Sequence, residues 1–415
     1  MFLNEHERPT RAHYMILVMS WAGWMFDFYD LLLLSFLLVP IKQELGFSRD
    51  ELSLLLGISL AATAIGGVAF GYLADRFGRK RVLSWTILTY SIGTFLCGLA
   101  PNLPWLLVFR VVTGLGVGGE WATGQTLIGE TFPAKMRARY AAYMQTGAPL
   151  GIALAALVGG FFVPRFGWRA AFFVSVLPAL LVVLIRRKMP ESDLWEARQR
   201  AAAGHPAAHE RSHFGELLIQ PDLRGKFLKG FVLALTDMSA YWFTYTWLPT
   251  YLYEQLGFSL ARSGLWMLVT QVGGFCGYVS FGFIADWRGR RKAYTLFSVI
   301  WAVGLLLITW FWGWIASAYQ WLTLLCMFLV GYGTGNFSGY GPIFSEIFPT
   351  RIRNTAMGSA FNVARGVQFF TPLIITWVAR SYGLAGGISL AAFFALFTGA
   401  WVWTLPETKG QRIVA

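Results

Sequence analysis

Apolar runs of about twenty residues recur along this chain, each long enough as an α-helix to cross the roughly 30 Å hydrocarbon core of a bilayer. Twelve such spans are expected, at 14–39, 51–74, 82–100, 104–129, 139–163, 169–187, 226–253, 262–285, 293–315, 319–345, 355–380 and 384–405. Lipid satisfies no backbone hydrogen bond, so each run must close its own as a helix, and the chain reads as an all-α membrane protein. Composition agrees: with 56% hydrophobic and 13% charged residues, the 415-residue chain lies outside the soluble class. The first run is too long and too acidic for a signal-peptide core and no small-residue cleavage site follows it, so it is expected to be retained.

A formal net charge of +13 would suggest nucleic acid if it were not so unevenly placed. With the N-terminus inside, 26 of the 34 Lys and Arg residues fall on inner segments, and only Lys42, Arg49, Arg165, Arg169, Arg262 and Arg380 fall on outer ones. That asymmetry predicts both termini in the cytoplasm of a protein integral to the inner membrane, partnered by lipid and not by nucleic acid. Two basic residues remain, Arg110 and Arg365, both within spans.

Cys97, Cys276 and Cys326 all lie in spans without ligand or disulfide spacing. His205, His209 and His213 have helical spacing, but Pro206 interrupts it within a polar loop, and neither a metal nor a cofactor is expected.

Residues 188–225 form the longest polar stretch and divide the chain into an N-terminal six-helix bundle (1–187) and a C-terminal one (226–415), with a cytoplasmic linker between. The halves repeat in sequence. "GYLADRFGRKR" at 71–81 returns as "GFIADWRGRRK" at 282–292, and "ETFPAKMRAR" at 130–139 as "EIFPTRIRNT" at 346–355. Ordered self-similarity of this kind points to a carrier of two equivalent bundles with its substrate site near the midplane. Gly71 and Gly282 permit close helix approach, and Asp75 and Asp286 sit where an acid can meet a helix N-terminus or nearby arginines.

The pattern G-x-x-x-D-R-x-G-R-K at 71–80 resembles the signature loop of the major facilitator superfamily. That resemblance implies twelve helices in two pseudo-symmetric bundles and a cytoplasmic latch of breakable ion clusters, here Asp75, Arg79, Glu130 and Arg137 with their counterparts Asp286, Arg290, Glu346 and Arg353. "PESDLW" at 190–195 and "PETKG" at 406–410 are similar to the sugar-porter branch and its organic-acid relatives. The seventh span, "LALTDMSAYWFTYTWLP", lacks the glutamine pair that grips hexoses in sugar porters. "DFYD" at 27–30 and "RVVTGLGVGGEW" at 110–121 resemble proton symporters for aromatic acids, sialate, lactate and other metabolites.

Charges inside a span cost roughly 2.5–3.5 kcal/mol each on insertion scales, so every one must pair, titrate or face the bundle interior. Asp27 and Asp30 share a helix face. Arg110 lies about 9 Å inside the outer end of its span, within reach of Asp30, either as a structural tie or as a pair that protonation releases. Glu120 has no basic neighbour on its own span. Three acids against one arginine imply that at least one carboxyl carries a proton near neutral pH, and Asp27, deeper than Asp30, is the preferred one. Arg365 offers a two-pronged donor matched to a carboxylate, unless Asp237 pairs with it structurally. Asn362 and Gln368 flank it. Tyr241 and Tyr245, one and two turns beyond Asp237, and Tyr332, Asn336 and Tyr340 at i, i+4 and i+8, read either as packing or as the wall of a polar cavity. Gln145 lies near the position at which related porters contact substrate.

The expectation is a monomeric secondary transporter that moves a small organic anion with one or more protons by rocking of its halves. The rivals are an exporter of cationic or amphipathic drugs and a sensor or scaffold that transports nothing. No nucleophile–base constellation or phosphate loop supports an enzyme.

Overall fold

The computed structural model describes residues 3–47, 49–177, 179–204, 215–245, 248, 251–252, 255–257, 260–318 and 320–410. His205, His209 and His213 lie outside the described residues. Helices follow one another as α1 (Arg11–Leu45), α2 (Arg49–Phe77), α3 (Arg79–Leu99), α4 (Leu103–Thr131), α5 (Arg137–Gln145), α6 (Gly147–Leu157), α7 (Val163–Val174), α8 (Ala179–Lys188), α9 (Asp193–Gly204), α10 (Glu216–Ile219) and α11 (Pro221–Tyr245). They continue with α12 (Leu260–Arg288), α13 (Arg290–Thr309), α14 (Trp312–Ala318), α15 (Gln320–Gly333), α16 (Tyr340–Ile347), α17 (Arg353–Val367) and α18 (Thr371–Trp401). Among the described residues there is no strand.

Seven helical stretches among the described residues are long and apolar enough to cross a membrane: Arg11–Leu34, Gly57–Phe77, Arg79–Leu99, Leu103–Thr131, Trp266–Arg288, Arg290–Thr309 and Trp377–Thr404. Several other expected spans are interrupted. The fifth changes helix at Thr146, and the tenth carries a 3-10 segment, Thr334–Gly339, between α15 and α16. The eleventh passes through a second 3-10 turn, Gln368–Phe370, into α18, which itself breaks at Gly383.

Four helices set the relation between the two sequence halves: α2 packs along α17, and α12 along α5. Small residues make both contacts possible. A Cβ on Gly71 would come within 2.9 Å of the Asn354 carbonyl oxygen, and one on Gly282 within 2.7 Å of the Arg139 Cα. The repeated sequence is matched by repeated backbone geometry: Gly78 and Gly289, 211 residues apart, precede α3 and α13 with φ of 100° and 101°. Side chains rarely adopt that conformation, so glycine at both turns follows from the chain reversal.

Both termini and the linker collect at the end of the molecule that carries these turns. The Leu3 amide donates to Asp193 on α9 at 2.8 Å, the Trp195 indole to the Asp75 carbonyl at 2.9 Å, and the Arg290 amide to Glu407 at 3.0 Å.

Candidate functional site

At the terminus-bearing end two ion clusters mirror each other. Arg79 grips Glu130 with Nε at 3.2 Å and Nη2 at 3.0 Å and meets Asp75 at 3.0 Å. Arg290 grips Glu346 with Nε at 3.2 Å and Nη2 at 2.9 Å and meets Asp286 at 3.2 Å. Each cluster then receives an arginine from the other half: Arg353 pairs with Glu130, and Arg137 with Glu346 at 3.1 Å. The aspartates cross as well. Asp75 accepts the Thr355 amide at 2.8 Å at the start of α17, and Asp286 the Arg139 amide at 3.1 Å at the start of α5. A carboxylate at a helix N-terminus is favourably placed against the helix dipole, so each cross-over is both a cap and a tie. The structure brings these eight residues together in two clusters.

Two further acids belong to the same machinery and escaped the sequence reading. Glu191 accepts the Arg79 amide at 3.0 Å and the Lys80 amide, while Ser192 donates to Glu130. Glu407 accepts the Arg290 amide at 3.0 Å and the Arg291 amide at 3.2 Å, while Thr408 donates to Glu346. Their signal was present as the pair P-E-S at 190–192 and P-E-T at 406–408, whose separation equals that of Glu130 and Glu346.

Deeper in the bundle, α1 turns its two acids toward different partners, as a spacing of three residues on a helix allows. Asp30 accepts the Thr94 hydroxyl at 2.6 Å and lies 3.5 Å from Arg110, whose Nε donates to Ser59 at 3.2 Å. The expected Asp30–Arg110 pair is present. Asp27 is fully buried, and neither carboxyl oxygen has a hydrogen-bond partner among the described residues. It feels the charges of Glu120, Arg365 and Asp30. Glu120 is equally buried and unbonded, its carboxyl lying against Gly23, one turn before Asp27, where any Cβ would collide with it.

Arg365 completes this centre from the opposite half. Its guanidinium stands 4.9 Å from the Phe361 ring centroid, 5.7 Å from Trp24 and 6.0 Å from Phe28, with 3% of the residue exposed and Nη1 without a hydrogen-bond partner among the described residues. Phe361 in turn stacks on Trp121 of α4 at 3.8 Å with 15° between planes. The two arginines and three acids leave a formal charge of −1 in a buried setting rich in aromatic rings.

Asp237 does not follow the alternative in which it pairs structurally with Arg365. Its carboxylate instead accepts the Tyr340 hydroxyl at 2.6 Å, the Tyr294 hydroxyl at 2.8 Å and the Asn336 amide at 2.7 Å. Three neutral donors hold it in place of an arginine. Tyr340 and Asn336 are thereby occupied and fully buried, so they close over an acid and do not line an open polar cavity in this conformation. Tyr332 does not join them. The 3-10 segment advances three residues per turn, so the i, i+4, i+8 stripe is broken, and Tyr332 stacks on Phe297 at 5.1 Å.

Asn362 and Gln145 serve as ties between halves. Asn362 donates to the Gly118 carbonyl at 2.7 Å, and Gln145 to the Phe337 carbonyl at 3.3 Å while accepting the Trp121 indole at 2.9 Å. Gln368, expected beside Arg365, donates to the Ala364 carbonyl at 3.1 Å and the Leu235 carbonyl at 3.4 Å. Tyr241 and Tyr245 are partly exposed with rings 4.7 Å apart, and Tyr241 lies within electrostatic reach of Arg365. Among the described residues no group of His, Cys, Asp and Glu is arranged to hold a metal.

Residues 16–358 match the family model described as Major Facilitator Superfamily. A putative metabolite transport protein of Haemophilus influenzae is 33% identical over 405 residues, covering 96% of this chain and 97% of that one. A cis,cis-muconate transport protein of Acinetobacter baylyi is 32% identical, covering 95% of each. In fold the chain is similar to the proton:xylose symporter XylE bound to 6-bromo-6-deoxy-D-glucose, with a TM-score of 0.77 over 97% of this chain and 98% of that one, at 19% identity.

Proposed function

Because the chain belongs to the major facilitator superfamily, we propose that it carries a small organic anion, a carboxylate, together with one or more protons by alternating access of its two halves. Family membership makes it an integral membrane transporter and not an enzyme. The observation that carries the anion reading is the buried Arg365 guanidinium within electrostatic reach of Asp27, which in turn feels Glu120, with Arg365 Nη1 and both carboxyls lacking hydrogen-bond partners among the described residues. A planar, two-pronged donor in a buried aromatic setting is matched to a carboxylate ligand. The relative named as a muconate transport protein supports an organic acid as the cargo.

Charge balance supplies the coupling. The centre already carries a formal −1, and an anionic substrate adds another negative charge where the dielectric is low. A proton on Asp27 or Glu120 offsets one of these charges, and protons on both offset the two, so substrate and proton favour each other's binding. Asp30 holds Arg110 and takes part through that pair, and Asp237 is a separate acid in the other half available to a proton. Tyr241 and Tyr245 shape the approach to Arg365. Asn362, Gln145, Asn336 and Tyr340 reach substrate once their present ties are exchanged. The two ion clusters with Arg137 and Arg353 form the cytoplasmic gate, shut in this conformation, with both termini inside and the carrier working as a monomer.

Uptake of a panel of labelled organic acids into proteoliposomes, with the pH gradient and sodium varied separately, tests the reading. The expected result is accumulation of at least one carboxylate driven by an inward proton gradient and lost in Arg365→Gln. Unimpaired carboxylate uptake in that variant would overturn the anion site, and transport of acids indifferent to the pH gradient would overturn symport.

A further inference from the structure

Between α1 and α5 of one half and α12 of the other runs a membrane-facing seam with a cavity of about 360 Å³, lined by Val18, Trp21, Tyr143, Thr146, Phe275 and Val279. Its walls are almost wholly apolar, and the indole of Trp21 is satisfied by the Thr146 hydroxyl at 3.0 Å. Val18 and Phe275 are 51% and 40% exposed at its mouth, on helices that cross the membrane, so what reaches this opening is lipid.

Toward the terminus-bearing end the same seam changes character. Phe283, one turn from Val279 on α12, carries the Arg139 guanidinium 4.2 Å above its ring, and Tyr143 meets the ring edge-on. The Nε of Arg139 is buried and has no hydrogen-bond partner among the described residues. Asp286, which feels the Arg139 charge, is already bonded to the Arg290 side chain and the Arg139 amide. Arg11, exposed at the start of α1, lies two turns before Val18 on the same face. From Arg139 to Thr146 the rise along the helix is about 10 Å, the offset between a headgroup phosphate and the upper part of its acyl chain.

We propose that this seam is a binding site for an anionic phospholipid, with one acyl chain in the cavity and the phosphate on Arg139. A basic group at the membrane–water boundary above an apolar slot between helices is the chemistry that selects such a lipid. Because α1 and α5 belong to one half and α12 to the other, a seated lipid bridges the halves in the conformation with the gate shut. It therefore stabilises that conformation by mass action.

The test uses the purified full chain, stripped of lipid in detergent and titrated with phosphatidylglycerol or phosphatidylcholine of identical acyl chains, with bound lipid read by native mass spectrometry. Wild type is expected to bind phosphatidylglycerol about fivefold more tightly than phosphatidylcholine, and Arg139→Gln to abolish that preference, as one interfacial arginine implies. Val18→Trp, at an exposed position in the mouth, is expected to weaken both lipids. Its melting temperature in phosphatidylcholine nanodiscs, unchanged from wild type, separates loss of the site from loss of the fold, and Val279→Trp repeats the block from the opposite wall. Equal affinity for the two lipids in wild type, or undiminished binding in both tryptophan variants, would overturn the proposal.

Discussion

Arg137 of the N-terminal half reaches Glu346 of the C-terminal half across 3.1 Å, and both side chains are almost completely excluded from solvent. The same carboxylate is gripped by Arg290, so one glutamate holds an arginine from each half. Removing one member of a buried pair leaves the other uncompensated, at a cost of roughly 3–5 kcal/mol. Arg137→Gln is therefore expected to lower the melting temperature and to open the terminus-bearing end, measured by labelling of single cysteines placed there. The exchange Arg137→Glu with Glu346→Arg is expected to recover only part of the loss, because Arg290 then faces an arginine.

Arg365 is expected to contribute to transport far more than to folding. Its Nη1 has no hydrogen-bond partner among the described residues, and the Trp24, Phe28 and Phe361 rings lie around its guanidinium. Arg365→Gln should abolish carboxylate uptake while leaving expression and melting close to wild type. Arg365→Lys keeps the charge but loses the planar fork, and its KM should rise by at least about tenfold.

The acids of α1 should separate in their effects. Asp27→Asn removes a carboxyl that no donor holds, so the variant is expected to fold, to exchange substrate across the membrane, and to lose accumulation driven by a pH gradient. Asp30→Asn strands the buried Arg110 guanidinium and should destabilise the protein by roughly 3–5 kcal/mol before any coupling is measured. Counterflow alongside gradient-driven uptake distinguishes the two, and gradient-driven accumulation by Asp27→Asn would move the proton site to Glu120 or Asp237.

Gly78→Ala tests the turn that feeds Arg79 into its cluster. At φ 100° an added side chain is strained by about 1–3 kcal/mol, and its Cβ would stand 2.5 Å from a carboxyl oxygen of Glu191. A fall in melting temperature is expected, with Gly289→Ala giving a similar fall through Glu407, which its Cβ would meet at 2.7 Å.

Much of the framework was legible because it rests on signals local in sequence. Apolar runs report spans, and the D-x-x-G-R and E-x-F-P repeats report the clusters around Glu130 and Glu346. The Asp30–Arg110 pair followed from depth, since Arg110 lies about 9 Å inside the outer end of its span, within reach of Asp30. Asp237 could not be read in this way. Its donors, Tyr294, Asn336 and Tyr340, lie 57, 99 and 103 residues away, and tyrosines at helical spacing look alike whether they pack, line a cavity or hold an acid. The Trp121–Phe361 stack was equally silent, because aromatic residues are frequent throughout the chain and only the meeting of α4 with α17 brings these two face to face.

The 3-10 segment Thr334–Gly339 has a mechanical consequence for the tenth span. Six residues wound at three per turn rise about 12 Å, where an α-helix would rise about 9 Å, and they turn about 120° further. Were the segment to relax into an α-helix, everything beyond it would draw in by about 3 Å and rotate by a third of a revolution, carrying the Tyr340 hydroxyl off Asp237. Shortening and rotation are thus one motion in this helix, as in a screw, and the hydrogen bonds at Asp237 are its stop.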